Sequence, residues 1–282
     1  MRNHPLTPMT DASLVRVLQA QTSRKVGLVA HEVVMQGPAA IKKRFDALRA
    51  DGIGIAVLDA ISDADLMQIG FALAGLKLVT AGSGIAMGLP QNWVARGALA
   101  ANARVRSLPA ASGRTAVVSG SCSVATNAQV RHFREQGRPA LQLDPIALAT
   151  GDDAVARALA WCDAQASEGP LLIYATAEPA AVQRAQAELG VARAGELVEH
   201  ALARIARGLV ERGVRRLVVA GGETSGAVVQ TLGVTQLTIG AQIDPGVPWT
   251  AARSPACKGE WLHLALKSGN FGTTDFFSKA FS

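Results

Sequence analysis

One stretch constrains this chain more than any other. Between residues 214 and 234 it reads VRRLVVAGGETSGAVVQTLGV. Leu217–Ala220 is a short apolar run rich in valine, the composition of a buried strand. It stops at Gly221-Gly222, and after Glu223, Thr224, Ser225 and Gly226 the apolar residues Ala227, Val228, Val229 and Leu232 recur at helical spacing. The pattern predicts a strand, a tight glycine turn and a helix. Such a turn leaves backbone N–H groups free at the helix start, with the positive end of the helix dipole behind them, and an anion such as phosphate fits there. Glycine lets a ligand approach the backbone because no Cβ intrudes. The same residues are equally consistent with an ordinary strand-to-helix turn capped by Thr224 or Ser225. No Gly-Lys-Ser/Thr follows, so this is not a Walker A loop, and no G-x-G-x-x-G is present to suggest a dinucleotide.

The remaining sequence places that unit in an α/β protein. Valine-rich runs for buried strands and abundant alanine for helices make up the apolar 49% of a 282-residue chain in which aromatic residues are only 4%. The formal net charge of +6 comes from scattered arginines without a basic run, and few aromatics are present to stack bases. Nucleic acid is therefore not an expected partner, and the charge suits anionic small ligands. The three cysteines, Cys122, Cys162 and Cys257, have no metal-ligand spacing and cannot all pair with one another. None of His4, His31, His132, His200 and His263 has a second ligand at metal spacing, so no protein-held metal site is expected. No apolar run reaches membrane-spanning length and the first residues lack the apolar core of a signal peptide, so the expectation is a cytoplasmic protein without a membrane partner.

Strand patterns at Lys25–Ala30, Ile53–Leu58 and Leu76–Thr80 alternate with helical patterns at Ala39–Asp51 and from Ser62 or Asp63 onward, which implies a first parallel sheet with helices outside. Directly after the third of these runs, AGSGIAMG presents Gly82, Ser83 and Gly84 as candidate substrate contacts. Periodicity is lost over Arg96–Arg114, and the boundary is placed there, giving a substrate domain over 1–105 and a nucleotide domain over 106–282. The second domain opens with strand Thr115–Ser119, continues through short strands and helices to the stretch described above, then gives a strand at Gln236–Ile239, a loop over Pro245–Ala256, and a strand at Trp261–Leu266 ending in KSGNFG. The expected fold is α/β with two domains, each a mostly parallel sheet flanked by helices. Three strand-to-helix turns of the second domain, GSCS, GGETSG and KSGNFG, are rich in glycine and hydroxyls, and a parallel sheet would bring all three to one edge, where such folds hold nucleotides and phosphates. Cys122 within GSCS reads as a small buried thiol or as a nucleophile near a helix start.

On these residues the chain resembles a known family. SGSCSVATNAQV, VVAGGETSGAVVQTLGV, IDPGVPW and LALKSGNFGTTDFF resemble the nucleotide-binding domain of the four-carbon acid sugar kinases, and NHPLTPMTD and AGSGIAMGLP resemble that family's substrate-binding domain. The resemblance implies ATP-dependent phosphorylation of the terminal 4-hydroxyl of a 3-dehydro-tetronate, with ATP and Mg²⁺ as cofactors, the sugar acid as the other small-molecule partner, and a homo-oligomer as an admissible assembly. It implies nucleotide contacts at Ser121 and Ser123, at Gly222, Glu223, Thr224, Ser225, Gly226, Ala227, Val228 and Val229, and at Gly269. Lys267 is a candidate for neutralising developing charge or a solvated lysine. The family's acidic DD-x-T-G-type motif is not found here, which suggests that the chain starts within the substrate domain and makes a nucleotide-binding module without catalysis the alternative reading. No catalytic base is assigned.

Overall fold

The computed structural model describes residues 9–101, 105, 107–150, 153–165 and 169–282. The chain divides into two compact units, Met1–Ala103 and Arg104–Ser282.

In the first unit, β1 (Val26–Val29) pairs in parallel with β2 (Ile55–Leu58), Val26 opposite Ile55 and Val29 opposite Leu58. The helices are α1 (Leu14–Gln19), α2 (His31–Val34), α3 (Pro38–Ala50), α4 (Asp63–Ala72) and α5 (Pro90–Ala95). Helix α4 starts where Ser62 and Asp65 form a capping box, each side chain accepting from the other's backbone N–H. A core of Val29, Val34, Ile41, Leu48, Ile69, Ala72 and Leu73 joins the β1–β2 pair to α2, α3 and α4. Gly70 of α4 and Gly88 pass in backbone contact, since a Cβ added at Gly70 would lie 2.4 Å from the Gly88 carbonyl and one at Gly88 would lie 2.2 Å from the Leu66 oxygen.

The expected third strand over Leu76–Thr80 is not formed. The segment is irregular and pairs with no strand, and Leu78 is 83% exposed. Its composition suits a strand, but a strand exists only where a neighbour supplies the ladder.

The second unit holds a seven-stranded sheet in the order β4-β5-β3-β6-β9-β8-β7. Its strands are β3 (Arg114–Ser119), β4 (Ala140–Gln142), β5 (Leu171–Tyr174), β6 (Val214–Ala220), β7 (Thr238–Asp244), β8 (Val247–Arg253) and β9 (Trp261–Lys267). Strands β4, β5, β3, β6 and β9 run parallel, and β7 and β8 form an antiparallel edge. The helices are α6 (Val124–Glu135), α7 (Pro145–Ala149), α8 (Ala154–Ala164), α9 (Pro179–Leu189), α10 (Val191–Glu211), α11 (Gly222–Thr231) and α12 (Phe276–Lys279). One face of the sheet is covered by α10, whose Ala201, Leu202, Ile205, Ala206 and Leu209 repeat at helical spacing and pack on Ala116, Val118, Leu217 and Val219. Phe133 of α6 and Phe276 and Phe277 of α12 cover the other, against Val117, Val218 and Ala265. The alternation of neighbouring strand residues between the two cores is the two-residue period of a strand buried on both faces.

Strand β8 occupies the segment expected as a loop. Pro248 lies opposite Gln242 where the β7–β8 register shifts, a place where a missing N–H removes no regular ladder bond. Gly246, with φ 79°, turns the hairpin. Among the described residues no helix is long and apolar enough to cross a membrane.

Candidate functional site

Three consecutive neighbours in the sheet, β3, β6 and β9, end together. Ser119 stands opposite Ala220, and Ala220 opposite Lys267, so the turns that follow begin side by side at about the 4.8 Å spacing of adjacent strands. These turns are GSCS, GGETSG and KSGNFG. Their backbones interlock: Gly120 N and Ser121 N both donate to Ala220 O (3.0 and 3.2 Å), and Gly221 N donates to Lys267 O (2.8 Å).

At the middle turn, Gly221 has φ 125°, a conformation that favours glycine, and α11 begins at Gly222. The expected caps are not there. No side chain caps this helix, and Thr224 and Ser225 lie within its first turn. Thr224 is 3% exposed, with its hydroxyl beneath the glycines: a Cβ at Gly120 would come 2.3 Å from Thr224 Oγ1. The first bond into the helix runs from Ser225 N to Gly221 O (2.9 Å), so the N–H groups of Gly222, Glu223 and Thr224 precede the helical ladder. Ser225 Oγ is buried without a partner. A Cβ added at Gly222 or at Gly226 meets nothing within 4 Å. Space therefore stands open over the helix start, beside free N–H groups. Val228 is fully buried in the core, and Ala227 and Val229, each half-buried, pack against it. By helical periodicity Ala227 and Val228 turn away from that opening, while Val229, seven residues after Gly222, shares the face of Gly222 and Gly226. Glu223 is exposed, and Glu199 of α10 is pushed up by burial and by the neighbouring Glu223 carboxylate.

At the first turn, Ser123 caps α6, its Oγ accepting from Thr126 N at 3.1 Å. That hydroxyl also donates to Gly269 O (2.6 Å), and a Cβ at Gly269 would lie 2.5 Å from Ser121 Oγ. Ser121, Ser123 and Gly269, the contacts that the family resemblance implies on these two turns, thus touch. Asn127 Nδ2 is shared among the carbonyls of Cys122, Ser123 and Ala177, each at 3.2 Å, and ties in the loop after β5. Burial pushes the Cys122 thiol up, away from a thiolate nucleophile.

Lys267 differs from both readings of it. It is fully buried, neither solvated nor facing the opening. Its ammonium donates to Thr126 Oγ1 (3.1 Å), Ser268 O (3.1 Å) and Gly269 O (2.9 Å), and burial pushes its pKa down to about 8.

A second brace holds the loop beyond KSGNFG. Asp244, 3% exposed, accepts from Thr273 N and Thr273 Oγ1 through Oδ2 (2.8 Å each) and pairs with the Lys279 ammonium through Oδ1. Burial acts to raise its pKa, but the Lys279 ammonium and the two Thr273 donors outweigh it and hold the carboxyl below the ordinary aspartate value. A depressed folded value means stability that is present above the unfolded pKa of about 4 and lost as pH falls through the folded one. Asp244→Asn should therefore lower unfolding stability by about 2 kcal/mol at pH 7, with the gap to wild type narrowing as pH falls below about 4. Urea midpoints across that range test it, and a gap independent of pH would refute the carboxylate's role.

In the first unit, Gly82 and Ser83 are exposed at the head of a single 3₁₀ turn, Ser83–Met87, and Gly84 lies half-buried near Leu66. They do not follow a strand, so the reason for choosing them, a loop at a sheet's carboxyl edge, does not hold. That edge instead carries His31, just past β1, with its Nε2 3.2 Å from Asp65 Oδ2; Asp65 also accepts from Ile61 N, Ser62 N and Ser62 Oγ. Sequence spacing gave no sign of a pair 34 residues apart.

Two family models match the chain. One is described as a nucleotide-binding C-terminal domain and covers residues 116–277; the other, a sugar-binding N-terminal domain, covers 1–89. A 3-oxo-tetronate kinase of Cupriavidus necator is 55% identical over 99% of this chain. The chain belongs to the four-carbon acid sugar kinase family. A Burkholderia multivorans relative with the same name is 56% identical over 99% of the chain. The chain spans 63% of the length of the Cupriavidus kinase and 64% of the Burkholderia one. The match to the sugar-binding model starts at residue 1 of this chain. Among solved structures, a Salmonella typhimurium LT2 protein superposes with TM-score 0.73 at 39% identity, covering 99% of this chain and 65% of that one. A Haemophilus influenzae protein superposes with TM-score 0.60 at 40% identity, covering 99% and 66%. The three turns of the nucleotide-binding unit all lie inside the region matched by the family's nucleotide-binding model.

Proposed function

We propose that this chain is an ATP-dependent kinase that phosphorylates the terminal 4-hydroxyl of a 3-dehydro-tetronate. The observation that carries the nucleotide half is the meeting of GSCS, GGETSG and KSGNFG at the ends of three adjacent parallel strands, with open space above Gly222. The names of relatives more than 50% identical supply the substrate class. In this reading the nucleotide phosphates take up the N–H groups of Gly222, Glu223 and Thr224, Ser121 and Ser123 flank them, and Gly226 keeps the next turn of α11 clear. Val228, with Ala227, holds the helix in place, and Val229 borders the opening on the face of Gly222 and Gly226. The γ-phosphoryl group passes to the 4-hydroxyl oxygen as its bond to the β-phosphate oxygen breaks, leaving ADP and releasing the hydroxyl proton. Such a transfer depends on alignment and charge stabilisation more than on covalent catalysis by the protein.

Mg²⁺ fits as an ion carried on the phosphates. It keeps several waters and needs only one or two carboxylates, and Glu223 is the carboxylate that the GGETSG turn offers. In the sugar-binding unit, the exposed Gly82-Ser83 turn is proposed as the substrate contact, through the hydroxyl and N–H groups it leaves accessible.

A coupled assay of ADP release with ATP, Mg²⁺ and 3-dehydro-tetronates tests the reading. Release that requires the sugar acid is the expected result. ATP binding by calorimetry with no release for any tetronate stereoisomer would overturn the kinase reading and leave a nucleotide-binding protein.

A further inference from the structure

The Gly269 carbonyl oxygen receives three donors from three directions: Ser123 Oγ at 2.6 Å, Thr126 Oγ1 at 2.8 Å and Lys267 Nζ at 2.9 Å. A carbonyl has two lone pairs, so this oxygen is held more tightly than an ordinary turn carbonyl. Lys267 adds the Ser268 carbonyl and the Thr126 hydroxyl, which uses all three of its protons. It shares a strand face with Ala265, beneath the first turn of α6. The charge is thus buried beside the positive end of a helix, with oxygens of neutral groups as its partners. A buried ammonium so placed is costly to the fold.

The cluster has one geometric consequence. No peptide of the described chain is cis, and in a trans peptide the C=O and N–H point in opposite directions. Drawing the Gly269 oxygen inward turns the Asn270 N–H outward. Asn270 is exposed, and among the described residues its N–H has no acceptor, while the next one, Phe271 N, closes the turn on Ser268 O at 3.1 Å.

We propose that Lys267 is a positioning residue of the nucleotide site: with Ser123 and Thr126 it pins the Gly269 carbonyl inward, and so aims the Asn270 amide at a phosphate oxygen of ATP. The proposal rests on the nucleotide reading above and adds the phosphate-specific role. The ammonium touches no ligand. It acts through the peptide, whose N–H it polarises by holding the carbonyl at the other end.

The test is calorimetric titration of wild type, Lys267→Met and Thr126→Val with MgATP and, separately, with adenosine, each variant checked by its thermal unfolding. Lys267→Met is expected to weaken ATP by tenfold or more and to leave adenosine within twofold of wild type. Thr126→Val keeps shape, removes the hydroxyl that bonds Gly269 O, Lys267 Nζ and Ser123 Oγ, and is expected to weaken ATP severalfold by the same pattern; it carries the test if Lys267→Met does not fold. Lys267→Gln, which restores two donors, should recover part of the loss. ATP affinity unchanged in the folded variants would overturn the proposal, as would an equal loss for ATP and adenosine, the mark of general loosening. A wild-type chain that binds neither ligand would fail the nucleotide reading itself, and that result is visible before any variant is made.

Discussion

Replacing Gly222 with valine should leave a folded protein that no longer binds ATP. Position 222 is the first residue of α11 and its φ lies outside the left-handed region, so a side chain is sterically allowed there. A Cβ at this point meets no protein atom within 4 Å, so the added bulk stands in the opening over the helix start. Phosphate oxygens approach N–H groups at about 2.9 Å, closer than a valine side chain permits. The expected loss is a hundredfold or more in ATP affinity, about 3 kcal/mol, against a cost to helix stability of under about 1 kcal/mol. Calorimetry beside a thermal melt separates the two. Wild-type ATP affinity in a folded Gly222→Val protein would remove this turn from the site. Gly226, equally open one turn later on the same helix, gives a graded control: valine there should weaken ATP less, because the phosphates bind at the helix end.

The largest expected effect on stability lies in the other unit. Gly88→Ala places a methyl 2.2 Å from the Leu66 carbonyl oxygen, and the atoms in the way are backbone of α4, which cannot swing aside as a side chain would. The helix must move off the Gly88 turn, disturbing the packing of Ile69 and Ala72 in the core. The cost should be about 3 kcal/mol, at the upper end of overpacking penalties. Gly70→Ala, 2.4 Å from the Gly88 carbonyl, should act alike. Because the two units have separate cores, ATP titration of Gly88→Ala should stay near wild type while urea unfolds the first unit earlier. An unshifted urea midpoint would mean that α4 and the Gly88 turn separate at little cost.

The sequence carried the strand, turn and helix around Gly221 because each part announces itself locally: a valine run, two glycines, then helical spacing. The convergence of GSCS, GGETSG and KSGNFG followed from one assumption, that strands alternating with helices run parallel and end at one edge, whereas Ser121, Ser123 and Gly269 within them came from the family resemblance. What stayed hidden depends on partners distant in the chain. Leu76–Thr80 read as a strand and Pro245–Ala256 as a loop, yet it is Val247–Arg253, within the second, that finds neighbours to pair with. Lys267 read as a charge-neutralising or a solvated lysine, and nothing in the sequence singled out Thr126. Their contact spans 141 residues, and no local pattern encodes it. The same holds for Val228, whose neighbours in sequence suggested a ligand and whose neighbours in space are the core.

The order of strands across the nucleotide-binding sheet has a consequence for how the protein comes into being. Strand β9 is the last in the sequence, yet it lies inside the sheet, with β6 on one side and β8 on the other. During synthesis, β3 and β6 leave the ribosome well before β9, and β6 waits with an open edge until residues 261–267 arrive. Long-range parallel pairing of this kind is slow to form. KSGNFG follows β9 directly, so the three turns first stand together only after that strand has docked. In the proposed nucleotide reading, ATP then acts as a late trap: binding the finished edge and not the waiting one, it pulls the newly made chain toward the native sheet by mass action.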